Sequence, residues 1–249
     1  MSLLAVSRLA KSFGPVQALS GLSFALEEGQ LLAMIGPNGA GKTTCFNLLN
    51  GQLAPDAGSV RIDGAEVAGR RPREIWRMGV GRTFQVAATF ASMTVRENVQ
   101  VALLSHRRRL AGLWRRAASM LCDEADALLE RVGMIEQAAR SCAVLAYGDM
   151  KRVELAMALA SSPRLLLMDE PTAGMAPRER ASLMALVAAI VRERKLAVLF
   201  TEHDMDVVFA SADRILVLDH GCLIASGTPA EVRANAEVQR VYLGSRGAH

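Results

Sequence analysis

Short apolar runs alternating with amphipathic helical stretches predict an α/β fold for this chain. Three observations carry that prediction. Leu31 to Ile35 is a compact apolar run of the kind a strand buried on both faces requires, and it opens directly onto a glycine-rich loop. The residues before and just after it read as β-rich, with short apolar or alternating segments punctuated by glycine. From about Val86 to Ser161 the spacing of apolar residues turns helical, and after Ser161 strands and helices alternate again.

Taken in order, Leu3 to Leu9 and Leu22 to Leu26 read as strands separated by Gly14-Pro15 and closed by Gly29. Ser59 to Ile62, between Gly58 and Gly64, reads as another. Leu121, Ala125, Leu128, Leu129 and Val132 form a helical stripe that Gly133 terminates, and Met150, Val153, Met157 and Ala160 form a second. Leu165 to Met168 reads as a strand. Pro177 opens a helix with Leu183, Leu186, Val187 and Ile190 on one face. Leu196 to Phe200 is the next strand, and Ile215 to Leu218 and Leu223 to Ala225 flank a turn at Asp219-His220-Gly221. Thr228-Pro229-Ala230-Glu231 is a capping box with proline at the first helical position.

The 249 residues suffice for one large domain, and a hydrophobic share of 51% supplies a sizeable core. A charged share of 22% argues against disorder. The 29 basic and 25 acidic residues leave +4, a mild excess that permits an anionic ligand without demanding nucleic acid. Cys45, Cys122, Cys142 and Cys222 show no metal-ligand spacing and read as free thiols. Met1 to Ala10 lacks the pattern of a signal peptide. The longest apolar run, Leu183 to Val191, falls far short of the ~20 residues of a membrane span. Membrane association is therefore expected through a partner or through surface charge.

Gly36-Pro37-Asn38-Gly39-Ala40-Gly41-Lys42-Thr43-Thr44 fits G-x-x-x-x-G-K-[ST] in full. Glycines let main-chain N–H groups curl around a phosphate, and a helix starting near Lys42 aims its positive end at the same anion. Lys42 is expected to neutralise the β and γ phosphates, and the Thr43 hydroxyl to bind Mg²⁺. Leu165 to Met168 ends in Asp169-Glu170. At that strand end in P-loop nucleotidases an Asp holds Mg²⁺. Asp169 takes that role, which frees Glu170 to orient or deprotonate the attacking water. An ordinary solvated pair of strand-end acids is the alternative.

The order of Gly36–Thr44, Gln85, Leu145-Ala146-Tyr147-Gly148-Asp149, Leu165–Glu170 and His203 resembles the nucleotide-binding subunit of an ATP-binding cassette (ABC) transporter, over nearly the whole chain. The resemblance implies a P-loop NTPase core (3–85 and 162–228) with an N-terminal antiparallel β subdomain, an inserted helical subdomain at about 86–161 and a C-terminal helical extension at about 229–245, together one ATPase domain over 3–245. It implies that Gln85 reaches Mg²⁺ and the lytic water, that His203 contacts the γ-phosphate, and that Phe13 stacks on adenine. Leu145–Asp149 would bind nucleotide across a dimer, although Ala146 lacks the family's usual hydroxyl. Gly148 and the following helix N-terminus still offer N–H groups there. Ala176 departs from the aspartate common at that point.

Leu-Ala-Tyr-Gly followed by Arg152 and Glu154, the long helical stretch after Gln85, and the ending Val238–Gly244 look like an ATPase of the branched-chain amino acid importers. The implied setting is the cytoplasmic face of a membrane. There two permease subunits, a second ATPase subunit and, indirectly, an extracytoplasmic solute-binding protein are the partners. ATP and Mg²⁺ are the implied ligands, with no nucleic acid. Two other readings stay open: a soluble cassette ATPase acting on nucleic acid or ribosomes, and a small-molecule P-loop kinase. His106 to Arg109 with Arg115-Arg116 form the strongest basic cluster, read as a solvated helical face or as a surface near anionic lipid.

Overall fold

The computed structural model describes residues 2–83, 89–107 and 121–243. The hairpin β1 (Ser2–Phe13) and β2 (Val16–Glu27) begins the chain. The burial that marked Leu3–Leu9 and Leu22–Leu26 lies toward the open end of the hairpin, away from the turn. The ends run on to a tight turn at Gly14, where φ is +57°, because the ladder bonds continue through exposed residues such as Ser12 and Gln17. β4 (Ala57–Ile62) pairs antiparallel with β1, and the short β5 (Ala65–Glu66) closes a four-stranded sheet of order β2-β1-β4-β5.

β3 (Leu31–Ile35) belongs to the second sheet, whose order is β10-β9-β3-β8-β7-β6. The other members are β6 (Val80–Thr83), β7 (Leu165–Asp169), β8 (Ala197–Thr201), β9 (Arg214–Asp219) and β10 (Cys222–Gly227). β3, β6, β7, β8 and β9 are parallel, and β10 returns antiparallel on β9. Leu31, Ala33 and Ile35 face one core, whereas Leu32 and Met34 face another shared with the antiparallel sheet and α1 (Lys42–Leu49). Burial on both faces is why β3, β7 and β8 are continuous apolar runs without alternation.

α2 (Pro72–Arg77) precedes β6. Between β6 and β7 lie α3 (Val95–Arg107), α4 (Cys122–Arg131) and α5 (Tyr147–Leu159), with two short 3₁₀ turns at Ile135–Gln137 and Cys142–Val144. The stripe Leu121–Val132 is buried as expected, and Gly133 takes a φ of +70° just after α4. The second stripe is buried only in part. Val153 and Ala160 are buried, but Met150 and Met157 are only half-buried, and Leu155, Ala156 and Leu159 complete the core face. α5 is apolar on more than one side because it packs on α3, α4 and β6 together.

α6 (Pro177–Arg194), α7 (Met205–Ser211), α8 (Pro229–Ala234) and α9 (Ala236–Leu243) complete the chain. Thr228 and Glu231 form the reciprocal cap at the start of α8, with Thr228 N–H donating to Glu231 at 2.7 Å and Glu231 N–H to Thr228 Oγ1 at 3.3 Å. All four cysteines are free. Among the described residues no helix is long and apolar enough to cross a membrane.

Asn98 is fully buried on α3 and clamps the segment that follows residue 88. Its Oδ1 accepts from Phe90 N–H at 2.7 Å, and its Nδ2 donates to Phe90 O and Thr94 O at 3.1 and 2.9 Å. Asn98→Ala strands these groups in the interior. A loss of about 2–3 kcal/mol in denaturant unfolding is expected, and an unchanged midpoint would contradict the clamp.

Candidate active site

β3 ends at Ile35 inside the sheet, and α1 begins at Lys42, so residues 36–41 form a short loop at the carboxyl end of a central strand. Gly41 occupies the position before α1 with a φ of +101° and no side-chain cap, and the first turn of α1 holds no acid. The amide end of that helix is therefore open to an anion. A Cβ on Gly36 would come within 2.3 Å of Leu218 O, and one on Gly41 within 2.5 Å of Ala18 O. The loop is thus wedged between β2 and the β9–β10 turn, where Gly221 N–H donates to Ala40 O at 3.1 Å.

Lys42 is buried, and its Nζ donates to Gly36 O at 2.6 Å and to Pro37 O at 3.1 Å. Burial depresses its pKa below the ordinary lysine value, while the carboxylates of Glu170 and Asp169 pull it back up. A cleft of about 410 Å³ opens above the loop, walled by Asn38 to Thr44, Phe13, Glu170 and His203. Phe13 is 47% exposed, so it is a lip of this cleft and not a packed core ring. Gln17 and His220 also line the cleft and had no motif to announce them. A second cavity, about 340 Å³, lies beside Trp76, Arg82 and Met157 and contains none of the phosphate-loop residues. The chemistry belongs to the first.

β7 carries Asp169 at its last position, and the chain then turns sharply. Glu170 adopts a φ of +48°, uncommon for a side-chain-bearing residue, and its N–H is held by Thr201 O at 3.2 Å and Thr201 Oγ1 at 3.1 Å. The Thr201 hydroxyl donates in turn to Asp169 Oδ1 at 2.8 Å. Arg82 on β6 approaches the other oxygen, Nη2 to Oδ2 at 3.4 Å, and also reaches Asn47 and Gln52. The turn separates the two acids. Asp169 is buried at the sheet end, and Glu170 swings to the cleft, where His203 Nε2–H donates to its Oε1 at 2.8 Å.

His203 follows β8. The next residue, Asp204, caps α7 by accepting from Asp206 N–H and Val207 N–H at 3.0 and 3.3 Å, and pairs with Arg180. Burial raises the Asp204 pKa, and the Val207 N–H, the Arg180 guanidinium and the Asp206 N–H together outweigh it, so the carboxyl stays below its ordinary value. Arg180 Nε also donates to Met175 O at 2.7 Å, which ties the loop after β7 to the loop after β8.

Leu145–Asp149 does not line the cleft. Ala146 precedes the first turn of α5, and Tyr147, Gly148 and Asp149 form that turn. Tyr147 is 41% exposed, with Lys151 Nζ 5.4 Å from its ring centre, and Lys151 pairs with Glu154 at 3.0 Å. A Cβ on Gly148 would lie 3.2 Å from the Glu179 carboxyl carbon, so the segment packs on the start of α6. Ala176 precedes that helix and its N–H donates to Glu179 Oε2 at 3.2 Å. Gln85 lies outside the described residues, as do Arg108 to Arg116 of the basic cluster.

A family model for the ABC transporter matches residues 19–173, and one for the branched-chain amino acid ATP-binding cassette transporter matches residues 222–248. The high-affinity branched-chain amino acid transport ATP-binding protein BraF of Pseudomonas aeruginosa is 43% identical over 249 residues, covering 97% of this chain and 98% of its own. LivG of Escherichia coli, a protein of the same description, is 40% identical over 251 residues, covering 97% and 98%. A solved ATP-binding cassette of an ABC transporter in its ADP conformation matches the fold with a TM-score of 0.86 at 29% identity, covering 98% of this chain and 99% of its own. The reading as a nucleic-acid or ribosome ATPase gains nothing from these relatives. A cleft built on a complete phosphate loop, in a chain that matches such cassettes from end to end, places this protein in the ABC transporter family, as one of its ATP-binding, ATP-hydrolysing members.

Proposed function

We propose that this chain is the ATPase subunit of an importer for branched-chain or related amino acids or amides, acting beneath two permease subunits on the cytoplasmic face of the membrane. The observation that carries this reading is the full-length similarity to two branched-chain amino acid transport ATP-binding proteins, extending through the match at residues 222–248. A second ATPase subunit completes the assembly, and an extracytoplasmic solute-binding protein delivers the solute. Residues 3–245 act as one ATPase domain, with the helices between β6 and β7 as its inserted subdomain.

ATP enters the cleft with its triphosphate over Gly36–Thr44 and its base against Phe13. Lys42 exchanges the carbonyls of Gly36 and Pro37 for phosphate oxygens. Thr43 and Asp169, with Gln85, would hold Mg²⁺. That ion takes oxygen ligands and commonly needs only one or two carboxylates beside the phosphates, which this donor set fits. When bound it neutralises charge on the phosphates. Glu170 takes the proton of the attacking water, and His203 faces the γ-phosphate. Gly148 and the amide end of α5 meet the nucleotide of the partner subunit, which accounts for their place outside this cleft.

The full chain, purified with its membrane companions in lipid nanodiscs, is expected to release phosphate several-fold faster when solute-binding protein loaded with leucine, isoleucine or valine is added. Stimulation by none of these would overturn the solute class. Phe13→Ala is expected to weaken MgATP binding about two- to tenfold through loss of one ring contact of about 0.5–1.5 kcal/mol. An unchanged dissociation constant would remove Phe13 from the site.

A further inference from the structure

We propose that Glu202 is a positioning residue that holds His203 in register with Glu170 across the cleft; this rests on the roles given to those two residues above. The register of β7 and β8 ends at Asp169 opposite Thr201. Beyond that pair the two loops leave the sheet, and each carries one of the groups assigned to the chemistry. Glu202 spans the gap. Its Oε1 accepts from Thr172 N–H at 2.8 Å and from the Thr172 hydroxyl at 2.6 Å, and its Oε2 accepts from His203 N–H at 3.2 Å. Glu202 is 4% exposed and Thr172 1% exposed.

These bonds close a ring. From Glu170 the main chain leads to Thr172, from Thr172 two hydrogen bonds lead to Glu202, from Glu202 the main chain leads to His203, and the His203 ring returns to Glu170 at 2.8 Å. A carboxylate is the one side chain of this length that offers acceptors on both sides and no donor. A glutamine at position 202 fails in either orientation. With its oxygen toward Thr172, its NH₂ meets the His203 N–H; with its oxygen toward His203, its NH₂ meets the Thr172 N–H. One side of the ring opens in both cases. Burying a carboxylate is costly unless it is hydrogen-bonded, and here both oxygens accept. The carboxylate thereby fixes the loop after β8, and with it His203, against the loop after β7.

The test uses the full chain and steady-state MgATP hydrolysis. Glu202→Gln is expected to lower kcat about tenfold with KM for MgATP within about twofold, since the phosphate loop is untouched. In a His203→Ala background the same substitution is expected to cost less than about twofold, because the group it positions is gone. Equal losses in both backgrounds, or no loss in the first, overturn the proposal. Thr172→Val removes only the hydroxyl bond and carries the same cycle if Glu202→Gln does not fold. Where the His203→Ala rate is too low to read, the imidazole ¹⁵N spectrum decides. The chain has four histidines, and the signal missing from His203→Ala is expected to shift in Glu202→Gln and Thr172→Val; an unmoved signal overturns the proposal. Glu170→Gln run in parallel separates the two ideas. A wild-type rate there defeats the assignment of the base, whereas additive effects at positions 202 and 203 defeat only the positioning role.

Discussion

Glu170→Gln is expected to cut steady-state ATP hydrolysis by about 10²–10⁴-fold, the range a positioned general base contributes, while MgATP affinity stays within a few-fold. The substitution is nearly isosteric, and the main chain that aims the residue into the cleft is held independently by Thr201 through two hydrogen bonds to the Glu170 N–H. The amide also keeps an oxygen able to accept from His203, which in the native chain lies 2.8 Å from Oε1. What disappears is proton affinity at that atom. Lys42 and the glycine loop remain, so binding survives and the nucleotide accumulates unhydrolysed. Rapid-quench phosphate release together with equilibrium nucleotide titration would measure both sides of this split. Turnover at the native rate would mean that another group accepts the proton.

Gly41→Ala should have the other large effect, and on a different quantity. The position has a φ of +101°, where an L side chain is strained, and the added methyl would lie 2.5 Å from Ala18 O and 2.8 Å from Leu19 Cδ2. Ala18 O belongs to β2, a strand locked on both the hairpin and the core, so the loop gives way first. Moving residue 41 displaces the start of α1 and the N–H groups that would cradle phosphate. A stability loss of about 2–4 kcal/mol is expected from strain and overpacking together, with MgATP binding weakened at least tenfold. Thermal unfolding with and without MgATP would test it, since ligand that binds only the folded chain raises its melting temperature. Wild-type ligand stabilisation would show that the loop tolerates the methyl.

Several parts of the site were readable from local sequence because each depends on a short contiguous segment. The loop Gly36–Thr44 needs its glycines and lysine at fixed spacing, and the strand that feeds it is apolar because both faces are buried. Asp169-Glu170 at the end of another such strand followed the same logic. Met150 and Met157 lie on the helix but less deep than Leu155, Ala156 and Leu159, for the opposite reason. A helix that packs on several neighbours has no single apolar stripe, so spacing alone does not say which face is deepest. Glu202 and Thr201 gave no signal at all. A polar residue beside a histidine looks like any loop residue until its partners, about thirty positions earlier in the chain, are brought alongside.

Composition and local order were enough to dictate an α/β chain with a phosphate loop at a buried strand end, since strand burial, helix periodicity and glycine torsions act over a few residues. Which way each carboxylate points was settled only on folding. One residue with positive φ sends Asp169 into the sheet end and Glu170 into the cleft. The pairing of β7 with β8 then brings a threonine and a histidine against them, and a glutamate against Thr172. Hydrogen bonds between distant segments depend on strand order in the sheet, and no spacing along the chain encodes that order.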